Sequence, residues 1–595
     1  MITQQNNRPE KSRRSSKSED GQTFIQGTKY RWLLKNVDEA AVRERAMAHN
    51  LATPIAHVLS TRGYLEADQI RTFLFSSFEQ DVPHASLMKG MTTAVERLAR
   101  AVDNQEKILI FGDYDVDGVT SASLALSALI PLGADINFFL PNRERDGYGL
   151  SVKGVQRAAE NGYKLIITVD NGIAAHAAAE RARELGVDLI ITDHHRPHAH
   201  VPPALAVIDP HQHDCPYPFK YLAGVGVTFK LMSLLYEFKG IKQLPEKAYE
   251  LLMLGTVADV VPLLGENRFW VRHGLAKVRG YKSNSLKVLA ANNNLSKEIW
   301  NSLDIGFMIA PQINALGRLA DAREAVKFMI SSDFSEVERI GAILKSMNDE
   351  RKKVEAGIYQ EMMHTVRKEG MDKDYVIIGS SDQWPAGVIG LVAGKLMHQY
   401  GRPTIMFHLD KQGFAKGSCR SLPEFDIFHA LTECSDLITQ FGGHACAAGL
   451  KLPQKNIPEL KARLAGLIAA KLSLDELRPK LNLDAPLSFT EINGNLVDNL
   501  EQLEPFGNSN PQPLFVMHDV TLVKPPQVMK DIHLKCLAFS QGVLKPIVFF
   551  NRPDLIPVFE QLRDKPFSVA GHVTTNHWNG KTSIELQGLD IAIGS

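Results

Sequence analysis

The sequence is poor in cysteine and carries no surplus of either charge. Its five cysteines, Cys215, Cys419, Cys434, Cys446 and Cys536, are scattered over 595 residues. They are odd in number, widely spaced and contain no Cys-x-x-Cys pair, so neither a disulfide framework nor a structural zinc site is indicated, and a reducing compartment fits best. Lys plus Arg (67) equals Asp plus Glu (67). That balance neither demands nor forbids a nucleic-acid partner, because a local patch binds phosphate and the sum does not. No apolar run is long enough to cross a bilayer, and the opening MITQQNNRPEKSRRSSKSEDGQ has no apolar segment of a signal peptide. A disordered polar tail on a cytoplasmic protein is the expectation, with Arg13, Arg14 and Lys17 solvated and contact with nucleic acid as the alternative. There is no fixed-period repeat, and GVIGLVAGK is not a phosphate-binding Walker loop, since Leu396 stands where Ser or Thr is required.

What is present is apolar material for real cores, 44% of the residues, in a chain long enough for about three or four domains. From Met91 to ALAVIDP, helical and strand patterns alternate as a doubly wound parallel-sheet α/β domain requires. A long, mixed-charge, helix-forming stretch follows, then a second, smaller α/β unit beginning at DYVIIGSSDQ. Beyond Pro486 the chain becomes a succession of β-rich runs, as in a small OB-like β-barrel. The predicted boundaries are a tail (1–28), a helical N-terminal region (29–90), the first α/β domain (91–325), a connecting helix (326–373), the smaller α/β domain (374–480) and the barrel (481–595).

Three segments run apolar and then stop at acid or imidazole: KILIFGDYDVDG, KLIITVDNG and DLIITDHH. Buried parallel strands read as such runs, and ligand sites of open α/β sheets lie beyond their carboxyl ends. The pattern therefore aims Asp113, Asp115, Asp117, Asp170, Asp193, His194 and His195 at one rim, where only a cation would offset their repulsion. On a pure strand the acids of GDYDVDG would share one face, turning at Gly118. An acidic loop capping the next helix is the ordinary alternative, but it leaves the other two clusters unexplained. Asp259, isolated in YELLMLGTVADVVPL, is costly there without a partner and reads as a late ligand. A carboxylate and imidazole shell suits Mn²⁺, with Mg²⁺ also allowed. Two such ions would promote phosphoester hydrolysis, with carbon–nitrogen or carboxyl ester hydrolysis as the alternative. Basic groups among glycines favour phosphate: Asn142, Arg143 and Arg145; Asn314 and Arg318; Lys416, Ser418 and Arg420; and His444 behind Gly442 and Gly443. In the barrel, His577 and Trp578 of TNHWNGK are candidates for stacking on a single strand, whereas Phe549 and Phe550 read as partly core.

In their order along the chain, GDYDVDG, PNRERDGYG, TVDNG, TDHH, GTVADVVPL, NALGR and GGHACAAG resemble the DHH phosphoesterase superfamily. With KGSCRS and EPFGNSNPQPLF added, the set is similar to its RecJ single-stranded-DNA exonuclease branch. That resemblance implies a DHH domain, a DHHA1 domain and an OB fold, and degradation of single-stranded DNA from 5′ to 3′ to mononucleotides in recombination and repair. It implies two Mn²⁺ or Mg²⁺ ions held by Asp115, Asp117, Asp170, His194 and Asp259, with Asp113, Asp193 and His195 ordering the site or assisting proton transfer. Arg143, Asn314, Arg318, Ser418, Arg420, Gly443 and His444 would hold the DNA phosphates across a cleft between the two α/β domains, with Trp578 the candidate on the barrel. The implied partners are a single-stranded-DNA-binding protein and a DNA helicase, with no membrane; a monomer is the expectation, since two domains that enclose the strand need no second subunit. Phe111 stands where several superfamily members have histidine, and Gln312 where many have a basic residue. The rival functions are a DHH small-molecule phosphodiesterase and a non-catalytic DNA-binding relative.

Overall fold

The computed structural model describes residues 22–141, 147, 149–280, 282–319, 322–562, 565–578 and 581–594. The described residues of Met1–Ile70, Glu355–Leu503 and Gln512–Ser595 form one compact unit, and those of Arg71–Val354 with Glu504–Pro511 the other. No described helix is long and apolar enough to cross a membrane.

Strands β1 (Gln22–Gln26) and β2 (Arg31–Lys35) form an antiparallel hairpin. Structure thus begins inside the segment expected to be tail (1–28), and the region expected to be helical (29–90) opens on a strand. The reason is tertiary: Trp32 is fully buried and Ile25 nearly so, in a small core that takes Leu483, Leu514, Val516 and Ala570 from distant sequence.

The second unit holds five parallel strands, β3 (Ile108–Phe111), β4 (Ile136–Phe139), β5 (Leu165–Val169), β6 (Asp188–Thr192) and β7 (Ala206–Ile208), in the order β4-β3-β5-β6-β7. They are apolar throughout because both faces are covered. Ile108, Ile110, Leu165 and Ile167 enter a core shared with helices Met91–Asp103, Val116–Leu129 and Gly224–Phe238. Leu109, Phe111, Ile166 and Leu189 enter another with helices Val152–Glu160 and His176–Glu184. Strand order reverses between β3 and β5, and a crevice opens at such a switch point, beyond the carboxyl ends of the strands.

The connecting helix spans Phe334–Glu369, shorter than expected, because a separate helix, Arg323–Ile330, precedes it. Ser331 is extended there, and the Asp333 carboxylate caps the new start by accepting from the Ser335 amide at 2.9 Å. The smaller α/β domain is a mixed sheet of β8 (Ile377–Ser381), β9 (Thr404–Leu409), β10 (Phe414–Arg420), β11 (Gln440–His444) and β12 (Ala447–Pro453), ordered β11-β12-β10-β9-β8 with only β8 and β9 parallel. Strand β13 (Lys480–Leu483) pairs with the N-terminal hairpin.

Strands β14 (Ala485–Pro486), β15 (Phe515–Leu522), β16 (Gln527–Met529), β17 (His533–Ser540), β18 (Val543–Phe549), β19 (Phe567–Trp578) and β20 (Lys581–Ile593) form the last sheet, which closes through β15 and β17 into a five-stranded barrel. Phe549 is fully buried and Phe550 half-exposed. Asp590 in β20 is fully buried and ties the hairpin to the barrel. Its carboxylate accepts from the Tyr30 amide and the Trp32 indole at 3.0 Å each and from the Arg552 guanidinium at 3.1 Å. Breaking a buried pair by removing one partner costs about 3–5 kcal/mol. Asp590→Ala therefore lowers stability by that order, seen as a lower urea midpoint and faster amide exchange at residues 28–32. An unchanged midpoint refutes the latch.

Candidate metal centre

Strand β3 ends at Phe111, and helix Val116–Leu129 begins with Asp115 as its N-cap, whose carboxylate accepts from the Gly118 amide at 3.1 Å. The three acids of GDYDVDG therefore do not share a strand face: Asp113 lies in the loop, Asp115 caps and Asp117 sits in the first helical turn. Gly118 is no turn either. A Cβ there would lie 2.4 Å from the Asp113 carbonyl oxygen, so glycine permits the helix to pack against the loop. The buried Asp117 carboxylate accepts from the amides of Gly224 (2.7 Å) and Val225 (2.8 Å), at the start of helix Gly224–Phe238. Exposed amides at a helix N-terminus are a natural anion clamp.

Asp170, the first residue beyond β5, adopts a left-handed backbone at φ 62°, an uncommon conformation that Asp tolerates better than most residues. The next side chain, Asn171, donates to the carbonyls of Phe111 (3.0 Å) and Val169 (2.9 Å) and joins the two strand ends. Beyond β6, the Asp193 carboxylate accepts from the amides of Ile173 and His194 at 2.8 Å and meets His195 Nδ1 at 2.7 Å. Asp259 closes the C-terminus of helix Glu246–Ala258.

These elements bring the acids around His194. Its Nε2 lies 3.2 Å from Asp170 Oδ1, 3.6 Å from Asp259 Oδ2 and 3.8 Å from Asp117 Oδ2. That nitrogen is buried and makes no hydrogen bond. A bare imidazole nitrogen facing carboxylates is a donor free to take a metal. Donor atoms converge in three triads, each within 4.8 Å: Asp117, His194 and Asp259; Asp113, Asp115 and Asp170; and Asp170, His194 and His195. The first two share no residue, so the donor set suffices for two divalent ions.

Burial, followed by the charge of Asp115, pushes Asp117 up to about 7. Burial and the neighbouring carboxylates also raise Asp170 and Asp259 well above the usual range. Burial and the His195 charge push His194 down to about 3, which keeps it neutral and ready to ligate. His195 moves the other way, to about 9: burial opposes its proton, but the bond to Asp193 and the charges of Asp193, Asp259 and Asp117 outweigh that. A folded-state pKa raised above 3.8 means that the folded protein holds a proton the unfolded chain has lost. The metal-free fold accordingly loses stability as pH rises from about 4 through about 7. A divalent cation offsets this where the acids are ionised. Mn²⁺ is therefore expected to raise the melting temperature more at pH 8 than at pH 5.5, with about 2.7 kcal/mol gained at a hundredfold excess over Kd. An equal shift at both pH values contradicts the assignment.

The DHH family N-terminal domain matches residues 107–256, the DHHA1 domain 373–470 and the RecJ OB domain 483–590. The single-stranded-DNA-specific exonuclease RecJ of Bacillus subtilis (strain 168) is 35% identical over 568 residues, covering 95% of this chain and 71% of the relative. The chain belongs to the RecJ family. Its fold is also that of RecJ from Thermus thermophilus in complex with Mn²⁺, with a TM-score of 0.80 at 28% identity over 94% of this chain and 79% of that one. RecJ from the same organism in complex with Mg²⁺ matches with a TM-score of 0.74 at 25% identity, over 94% and 78%.

Within this RecJ family chain the remaining site candidates separate. Asn314 lies on helix Ala310–Leu319, in the unit that carries the acids. Ser418, Arg420, Gly443 and His444 lie in the other unit on β10 and β11, where Arg420, Ala447 and His444 are successive cross-strand partners, which places Ser418, Arg420 and His444 on one face. Arg143 lies outside the described residues, as do the side chains of Arg318, His577 and Trp578. Phe111 points into the core against Phe139, with ring centroids 5.2 Å apart, so it contributes nothing to the ion site. Gln312 is buried, donating to the carbonyls of Leu289 and Met308. The sequence pattern does not reveal that the helix opening at Gly224 clamps Asp117. The glycine-rich start, AGVG at residues 223–226, is the available signal.

Proposed function

We propose that the protein degrades single-stranded DNA from 5′ to 3′ to mononucleotides by hydrolysing phosphodiester bonds in the presence of Mn²⁺ or Mg²⁺. The observation that carries this reading is the bare, buried Nε2 of His194 facing three carboxylates in a chain of the RecJ family. Asp115, Asp117, Asp170, His194 and Asp259 are the proposed ligands. Ions held there would supply an activated water and neutralise charge on the phosphate. The chain's own groups then have separable tasks. Asp193 keeps His195 protonated at neutral pH, and the imidazolium donates to the leaving oxygen. Asp113 orders the loop between β3 and the first acidic helix. Arg143, Asn314, Arg318, Ser418, Arg420, Gly443 and His444 hold phosphates, and the barrel, with Trp578, holds the strand.

A cytoplasmic monomer acting in recombination and repair, after a helicase has exposed a strand coated by a single-stranded-DNA-binding protein, is the setting proposed. A small-molecule phosphodiesterase has no use for a five-stranded barrel, and a non-catalytic relative has none for a full set of ligands.

The rate should fall as pH rises through about 9, where His195 loses its proton. At subsaturating Mn²⁺ it should also fall below about 7, where protons compete with the ions at Asp117. A kcat profile in saturating Mn²⁺ that lacks the upper limb refutes the role of His195. Polarity is tested with 5′-labelled and 3′-labelled oligonucleotides and a dinucleotide in parallel. Immediate release of the 5′ label as a mononucleotide supports the proposal. Early release of the 3′ label reverses the polarity, and cleavage of the dinucleotide alone moves the protein to the small-substrate class.

A further inference from the structure

Beside the metal centre stands an aromatic side chain that none of these tasks uses. Tyr221 lies three residues before Gly224, whose amide donates to the Asp117 carboxylate at 2.7 Å, and consecutive Cα atoms are about 3.8 Å apart. Tyr221 is 53% exposed as a residue, yet its ring has aromatic neighbours. Phe219 and His211 present T-shaped contacts to it, with centroid distances of 6.0 and 6.4 Å. The buried Asn267 side chain donates to the carbonyls of both Tyr221 and Pro262, which anchors the tyrosine to the segment that follows Asp259. His211 is placed in turn by the fully buried Asp209, whose carboxylate accepts from the His211 amide at 2.7 Å. Lys220 donates to the Cys215 carbonyl at 2.7 Å and closes the loop.

An aromatic ring steadied by two edges, but left open rather than buried, is preorganised for a flat partner. Nucleobases have such a face, and stacking on an aromatic side chain tolerates any sequence because every base offers one. We infer that Tyr221, braced by Phe219 and His211, stacks against the nucleobase of a nucleotide adjoining the scissile phosphate and so sets the terminal nucleotide in register with the metal centre. The inference rests on the exonuclease reading above and adds to it a residue that touches the base rather than the phosphate.

The test is steady-state cleavage of a single-stranded oligonucleotide by wild type, Tyr221→Phe and Tyr221→Ala in Mn²⁺, with a second substrate that lacks the terminal base. Tyr221→Ala should raise KM roughly tenfold or more with kcat little changed, and Tyr221→Phe should behave as wild type. Wild type should show the same rise on the substrate lacking the base, and Tyr221→Ala no further rise on it. An unchanged Mn²⁺-induced rise in melting temperature in Tyr221→Ala shows that the ion site is intact. An unchanged KM in Tyr221→Ala overturns the inference, as does an equal loss in Tyr221→Phe, which would assign the contact to the hydroxyl. Failure of the wild type to cleave any single strand would instead refute the exonuclease reading, and this inference with it.

Discussion

Asp170→Asn abolishes hydrolysis, lowering kcat by at least about a thousandfold, and leaves the fold intact. Asp170 completes the triad with Asp113 and Asp115 and lies 3.2 Å from His194 of the other, so losing its charge removes a ligand from one ion position and alters the surroundings of the second. Several kcal/mol of transition-state stabilisation depend on such ions, at about 1.4 kcal/mol per tenfold in rate. The fold survives because removing one of several crowded carboxylates relieves repulsion. Asparagine also tolerates the left-handed backbone of this position, whereas alanine would add about 1 kcal/mol of strain. The metal-free variant should therefore melt no lower than wild type at pH 8, and Mn²⁺ should raise its melting temperature less than that of wild type. Retained single-turnover activity overturns the site assignment. Lost activity with a collapsed melting temperature would mean that Asp170 is structural.

The second large effect comes from a residue with no side chain. A Cβ added at Gly224 would lie 2.6 Å from Asp170 Cβ, 2.7 Å from its Oδ1 and 2.9 Å from its Cα. Main chain and a fixed carboxylate cannot swing aside as the end of a long side chain can. Gly224→Ala must therefore push the helix start away from β5, which pulls the Gly224 and Val225 amides off Asp117. Overpacking of this kind costs about 1–3 kcal/mol, and a displacement of about 1 Å at a reacting centre costs roughly a hundredfold in rate. Gly226→Ala is the control, since its Cβ would meet only the Leu222 side chain, at 3.2 Å or more, and should be far milder. Equal activity in the two variants would refute the clamp.

The rim was legible in the sequence because parallel strands covered on both faces leave an unmistakable trace, continuous runs such as ILIF and LIITV. The acids at their ends needed no further pattern to be placed. What local reading missed depends on contacts far apart in the chain. The hairpin Gln22–Lys35 looked like tail and helix because its burial comes from β13 and the barrel. The alternation of GDYDVDG fits a strand face only if the strand continues, and nothing local says that it stops at Phe111 and that a helix starts at Val116. Asn171 joins two strand ends through the backbone oxygens of Phe111 and Val169, and a backbone oxygen has no signature in sequence. The break at Ser331 is a difference of another kind: its Ser and Asp capping residues were visible, but the helix-forming composition on either side masked them.

The most direct test of a metal-dependent exonuclease specific for single strands is nucleotide release from three DNAs of one sequence: a linear single strand, a closed single-stranded circle and a blunt duplex, each in Mn²⁺ and in EDTA. The account predicts release from the linear strand alone, and only with the metal. Degradation of the circle, or release from the linear strand in EDTA, contradicts it.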